Sequence, residues 1–518
     1  MGLAENGMVN VGENNKRIAK NTLLLYVRMI FMMAVSLYTS RVVLDVLGVE
    51  DFGIYNVVGG VVAMFGLLNG AMATSTQRYL TFELGRNNSE QLRIVFATSM
   101  QIHVLISLII VILAETVGLW FLYYKMTIPE GRIDAALWVY QFAVLSFVVL
   151  VMSVPYNATI IAHEKMAAFA YISVLEVVLK LLIVYVLLIG SWDKLKLYAL
   201  LLFLVQLSIR TVYNLYCNRH FPETKFCTIW NFRLFKEMLS FAGWNLWGNC
   251  AVVAYTQGLN ILLNMFFNPV VNAARGIAVQ VQNAISQFAF NFQTALNPQI
   301  TKSYATRDFS YMYGLVFKSS KFTYFLLLFL SLPILVETEM ILSIWLKTVP
   351  EYTVIFVRLL LCVTIIDAVA NPLIVSAAAT GQVRRYQSVV GGILLFILPL
   401  SYLILKLGGS PSSVFMVHLG VCIIAFTVRL LFIRQMIGLS LRTYFKQVVV
   451  KGGIVTGVAV VLPLLLKYSL PISFFSFILV CVVCALSVFS SVYFLGLNSS
   501  ERGFLKDKLQ GMLLKIRR

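Results

Sequence analysis

From residue 21 onward the chain alternates apolar runs with short polar breaks. Each run is about 20 residues long, enough to cross roughly 30 Å of hydrocarbon as a helix, whereas barrel strands would be half that length and would alternate. The pattern predicts about fourteen transmembrane helices, over residues 21–43, 53–76, 94–122, 136–161, 167–190, 196–216, 239–264, 271–297, 320–345, 353–379, 386–407, 412–433, 447–467 and 471–496. An even number returns both ends to one side of the membrane.

Composition agrees with the pattern. Of 518 residues, 60% are hydrophobic and 12% are charged, against about 25% charged in a soluble domain. The fold class is therefore all-α integral membrane protein. The polar first 20 residues end in Lys16, Arg17 and Lys20, with no short apolar core and cleavage site, so no removable signal peptide is expected.

Charge distribution tests the division into spans independently. With the N-terminus inside, cytoplasmic loops and tails hold roughly 27 of the 41 basic residues, and outer loops hold about 8, as the positive-inside rule requires. The loop with Arg86 and Arg93 is basic, whereas the opposite one carries Asp45, Glu50 and Asp51. The net charge of +19 is thus a signal of topology, and its dispersal among membrane hairpins argues against nucleic acid as a partner.

The chain also repeats itself. Residues 85–99 match 306–320 at an offset of 221, and residues 155–185 match 372–402, pairing Pro155 with Pro372 and Tyr185 with Tyr402. Two six-helix bundles follow, the N-terminal lobe at 21–217 and the C-terminal lobe at 239–437. They lie between a cytoplasmic tail (1–20) and two appended helices (438–496), joined by a cytoplasmic linker (218–238). Six spans per bundle make the repeat parallel, with its axis along the membrane normal and the cleft between bundles as the expected working site. The last stretch, 497–518, reads as a basic amphipathic helix suited to an anionic inner leaflet, so membrane lipids are expected partners.

Polar residues inside the spans are the candidates for chemistry. Gln280, Asn283, Gln287, Asn291 and Thr294 step by three or four and form one stripe, as do Asn245, Asn249, Thr256 and Asn260 in the preceding span. Such amides either bond helix to helix or line a cavity, and two adjacent stripes favour the cavity. Arg28 and Arg275 have no acid one turn away, whereas Arg41 has Asp45 four residues on and Glu176 has Lys180. Arg429 and Arg434 are expected to snorkel to the inner surface. Asp367 is either a proton or cation site or half of a pair with another span. Pro155 and Pro372 interrupt equivalent helices as static kinks or as bending points.

Other chemistries are not supported. His103, His163, His220 and His418 make no metal-ligand pattern, Cys481 and Cys484 read as small hydrophobes, and no nucleotide loop or catalytic motif occurs. Neither metal nor cofactor is expected.

Spans, repeat and the stretch "RVVLDVLGVEDFGIYNVVGGVVAMFGLLNGAMATSTQRYLTFELG" (41–85) resemble the polysaccharide transporters of the multidrug/oligosaccharidyl-lipid/polysaccharide (MOP) exporter superfamily, and within it the O-antigen (Wzx-type) flippases. The resemblance covers roughly residues 15–500. It implies a MATE-like architecture in the bacterial inner membrane with both termini cytoplasmic. The implied activity is alternating-access export of an oligosaccharide on undecaprenyl pyrophosphate for O-antigen, capsule or exopolysaccharide. A polysaccharide polymerase and glycosyltransferases are the implied partners. On this reading Arg28, Arg41 and Arg275 bind pyrophosphate and the amides face the sugars. Asp45 and Asp367 are candidates for ion coupling, since relatives in the superfamily use ion gradients. The alternatives are a cation-coupled multidrug extruder of the same fold and a lipid II flippase.

Overall fold

The computed structural model describes residues 2–63, 65–124, 131–189, 192–225, 229–267, 269–346, 348–471, 473–499 and 501–503. Within them the ordered elements are helices. The first is α1 (Gly2–Ala63), which bends at Gly48, where φ is +79°, a value that only glycine adopts without strain. Next come α2 (Gly66–Gly85) and α3 (Ser89–Leu113), the latter running through a wider turn into α4 (Leu119–Tyr124). Three long helices follow, α5 (Ile133–Ala162), α6 (Met166–Ile189) and α7 (Lys194–His220).

The second half opens with the two longest uninterrupted helices, α8 (Phe232–Phe266) and α9 (Pro269–Ala305). After these come α10 (Phe309–Val336), α11 (Thr338–Trp345), α12 (Thr353–Thr380), α13 (Arg384–Leu395), α14 (Ile397–Lys406) and α15 (Ser413–Ile437). The chain ends in α16 (Leu441–Tyr444), α17 (Lys451–Ser469) and α18 (Phe474–Ser491). Eleven helices among the described residues are long and apolar enough to cross a membrane. The other three expected spans fall on the end of α1 with α2, on α8 and on α9. Helices α8 and α9 carry the amides, which lower their apolarity but not their length. Of the basic tail expected at 497–518, residues 497–499 and 501–503 are described and the rest lies outside the described residues.

Short side chains set the helix ends where the sequence has them. Asn88 accepts from the Gln91 amide, Asp193 from the amides of Leu195 and Lys196, and Ser473 closes a reciprocal box with Ser476. Pro155 and Pro372 sit inside continuous helices. In both cases the hydroxyl four residues on, Thr159 or Ser376, donates to the proline carbonyl at 2.8 Å.

The backbone shows the internal repeat directly. Arg86, Asn87 and Asn88 donate to Phe82, Leu84 and Glu83, and Thr306, Arg307 and Asp308 donate in the same pattern to Lys302, Tyr304 and Ser303. Asn87 and Arg307 are the left-handed residues of the two turns, with φ of 53° and 60°. This sets the local offset at 220, one residue less than side-chain matching gives, because turn geometry fixes the register more tightly than apolar identities do. In the second match, Glu164 and Gly381 are left-handed, with φ of 59° and 79°, and 217 residues separate them, as they separate Pro155 and Pro372.

The chain forms two compact units, one of Met1–Cys250, Thr294–Phe309 and Gly381–Gln387, the other of Ala251–Gln293, Ser310–Thr380 and Ser388–Arg518. In the first, α1 packs on α6, and α5 on α2 and α7. In the second, α12 packs on α15, and α17 and α18 pack on each other. Phe325, Leu328 and Leu332 of α10 share a core with Val455 and Ala459 of α17 and Val480, Cys484 and Val488 of α18. Ion pairs Lys321–Glu501 at 2.7 Å and Lys467–Glu337 at 3.7 Å join the appended helices to the rest of the second unit.

Loops expected on one membrane face meet in space. Arg132, before α5, donates from Nε to Asp51 Oδ1 at 2.9 Å and from Nη1 to Asp193 Oδ2 at 2.8 Å, tying α1 just past its bend to the starts of α5 and α7. The Asp51 hydrogen bond raises the guanidinium pKa above its ordinary value, so Arg132 stays charged at every pH where the protein is handled. Replacing Arg132 by Gln should cost about 1–2 kcal/mol, since the pairing is forked and only partly exposed. Thermal unfolding of the purified protein reads this as a lower midpoint, and an unchanged midpoint would show that the loops are held by something else.

Candidate functional site

In the first unit the candidate chemistry gathers on α1, α6 and α7. Arg28 lies over the ring of Phe169 at 4.2 Å, within electrostatic reach of Glu176 and Tyr213. Its Nε is buried without a hydrogen-bond partner. Glu176 is already engaged, accepting from Lys180 Nζ at 2.6 Å. One carboxylate therefore serves two cations. Lys180 also lines a cavity of about 260 Å³ with Tyr55, Phe142, Phe147, Leu150 and Gln206, a largely apolar space with one ammonium and one amide.

In the second unit the candidate chemistry falls on α8, α9, α12 and α15. Arg275 donates from Nη2 to the Thr256 carbonyl at 2.6 Å, and its Nε is buried without a partner. Asp367 of α12 pairs with Arg429 of α15 at 3.8 Å. Between them, Tyr255 stands edge-on to His418 at 5.0 Å, and neither ring nitrogen of His418 has a partner. Of the two guanidiniums, Arg429 is the one that pairs with the carboxylate. The Asp367 side chain is 42% exposed and Arg429 only 8%. The snorkelling expected of Arg429 does not occur; it turns inward because α15 packs against the helix that carries the acid, while Arg434 alone is exposed.

The amide stripes are only partly as expected. On α9, Gln280, Asn283 and Gln287 are exposed on one face, and Ala278, Ile285 and Ala289 are buried on the other. Asn291 leaves the stripe: it is buried and donates back to the Gln287 carbonyl at 2.9 Å. On α8, Asn245 is buried and accepts from Gln387 at 3.0 Å, Asn249 is exposed and Asn260 half-buried. Asp45 is exposed, and the side chain of Arg41 lies outside what the structure describes. No group of three or more metal-ligating side chains occurs among the described residues. The packing of His418 on Tyr255 and the inward turn of Arg429 escaped sequence reasoning. Each acquires its role from a neighbour on another helix.

No protein-family model matches the chain, and no curated protein does. Solved structures do. A MATE family transporter of the MOP superfamily in an outward-facing conformation aligns with a TM-score of 0.70 at 13% identity, over 82% of this chain and 96% of that one. The chain has a MATE-type membrane transporter fold. MATE in its bent conformation aligns at 0.70 with 12% identity, over 83% and 97%. A MOP superfamily transporter from Pyrococcus furiosus aligns at 0.66 with 13% identity, over 81% and 96%; its description says that the reverse polarity of its binding pocket suggests a different function.

Exposed amides on a membrane helix should face water, since an unpaired amide in hydrocarbon costs several kcal/mol. Single cysteines at 280, 283 and 287, in a chain whose seven native cysteines are replaced, should react with a membrane-impermeant thiol reagent. Cysteines at 285 and 289 should not. Equal silence at all five positions would place the stripe against lipid.

Proposed function

We propose that this transporter flips an oligosaccharide linked to a polyprenyl diphosphate across the bacterial inner membrane by alternating access, with both termini cytoplasmic. The observation that carries the reading is Arg275: a guanidinium with an unpartnered buried Nε, on the same helix as a stripe of exposed amides. A sugar hydroxyl costs about 4–8 kcal/mol to move unpaired into alkane, so a glycan head group needs a polar lining. A diphosphate needs cations that hold their charge away from water, and guanidinium does so while binding two oxygens at once. Arg28 supplies the same chemistry in the other unit, with Arg41 a third candidate. The prenyl tail stays in lipid, and a polymerase takes up the product outside.

The positive surplus in both units favours an anionic cargo over a cationic drug. Pocket polarity is also the property that the description of the Pyrococcus furiosus neighbour ties to a change of function. Truncating a guanidinium that holds phosphate costs about 1.5–3 kcal/mol, so Arg28→Ala and Arg275→Ala should each slow flipping by about 10- to 100-fold. Lys in either place should restore part of the rate. The measurement is inward-facing lipid-linked glycan accumulating in a deletion strain that carries each variant. Wild-type flipping by both alanine variants would end the proposal.

Asp367 supports a second reading, a cation-coupled multidrug extruder, because a half-buried carboxylate in the middle of a membrane helix needs water or a cation beside it. On that reading deletion raises drug sensitivity and leaves glycan lipids untouched, and Asp367→Asn reproduces the deletion. On the first reading Asp45 and Asp367 are the acids that couple flipping to an ion gradient, so the double asparagine variant loses the ion dependence of glycan export. Retained ion dependence in that variant would exclude both acids from coupling.

A further inference from the structure

Glu164 stands in the turn between α5 and α6 with a left-handed φ of 59°, a conformation costly for any residue with a β-carbon. Its side chain is 1% exposed, yet it is not apolar company that surrounds it. Arg17 Nη2 of α1 lies 2.9 Å from Oε2, Lys302 Nζ of α9 donates to Oε1 at 2.6 Å, and Gln299 Nε2 donates to Oε2 at 2.6 Å. Asn21 Nδ2 adds a bond to the Glu164 carbonyl at 3.1 Å. Beneath this cage Leu25, Met166 and Ala295 are fully buried, with Phe169 packed on them. Phe169 is the ring that carries Arg28. All of these residues belong to the first unit.

The equivalent turn of the second match carries no acid. There Gly381 leaves room for Arg78 of α2, whose Nη2 would lie 2.8 Å from any β-carbon at that position, and Gln387 reaches Asn245 of α8. The two turns thus hold opposite partners: one joins α1 to α9, the other α2 to α8. Only the first does so by surrounding an anion with two cations and an amide donor. Stripped of Glu164, that arrangement is an anion receptor: guanidinium, ammonium and amide converging on one point.

We propose that Glu164 is an internal anion plugging a diphosphate receptor formed by Arg17, Gln299 and Lys302, and that an incoming diphosphate displaces it and frees the α5–α6 turn from the inner end of α9. The choice of diphosphate rests on the function proposed above. Exchange of one anion for another keeps the two cations paired throughout, which separation of the helices without a ligand would not. A diphosphate carries more charge than a carboxylate and gives the guanidinium two oxygens to grip. Because Phe169 packs on the Leu25, Met166 and Ala295 cluster and carries Arg28, release at the turn reaches that cation as well.

The test uses full-length protein in lipid nanodiscs, with inorganic pyrophosphate as the probe and a cysteine at Ala295 as the reporter in the cysteine-replaced chain. In the parent protein the reporter should label slowly, and pyrophosphate should speed labelling. In Glu164→Gln it should label at least tenfold faster without the probe, and pyrophosphate should bind at least tenfold tighter by calorimetry. Adding Arg17→Ala with Lys302→Ala should abolish that binding. Gly85→Leu is a second route that leaves the carboxylate intact, because a β-carbon at Gly85 would sit 2.8 Å from that of Ala305 and 3.0 Å from the Lys302 backbone; it should speed labelling as well. Parent-like labelling and pyrophosphate affinity in Glu164→Gln would overturn the plug, even with glycan flipping still dependent on Arg28 and Arg275. The converse, a responsive plug with flipping indifferent to those arginines, would keep the plug and remove the substrate reading.

Discussion

An ionised side chain inside a membrane must find an opposite charge, a hydrogen-bonding group or water, because hydrocarbon offers none of these. That constraint organises both units. Glu176 is held by Lys180, Asp367 by Arg429, and Lys321 by Glu501. Once these pairs are made, the guanidinium Nε atoms of Arg28, Arg275 and Arg429 remain buried without partners. The proposed function gives those of Arg28 and Arg275 an anion to hold.

The internal repeat shows how one backbone plan is given two chemistries. Turns at Glu164 and Gly381 share a left-handed conformation, and proline carbonyls at 155 and 372 are capped by hydroxyls from the next turn. The glycine copy admits Arg78 as a close neighbour, whereas the glutamate copy accepts strain in order to place a carboxylate among cations. Backbone strain retained where a cheaper residue would fit points to a role for the side chain. Phe169 carries Arg28 and packs on the Leu25, Met166 and Ala295 cluster of the same unit.

Long helices explain why the amides matter. Three positions on α9, Gln280, Asn283 and Gln287, expose a polar face opposite a packed one of alanine and isoleucine. The same helix carries Arg275 near its start and Lys302 near its end. The candidate phosphate ligand and the candidate sugar-facing surface thus share the part of α9 in the second unit, and Lys302 of the plug lies on the part in the first.

Period and composition along the chain are enough to define the helices, the two-fold repetition, the Glu176–Lys180 pair and the amide face of α9, because each depends on residues within one or two turns of each other. Tertiary structure alone decided the rest. Nothing in the sequence links Glu164 to Gln299 and Lys302, 135 and 138 residues away, or turns Arg429 toward Asp367, or buries Asn291 one turn from exposed Gln287. Helical periodicity fixes the angle of a side chain about its own axis. What waits at that angle, whether lipid, water or a charge from another helix, is settled only when the helices pack.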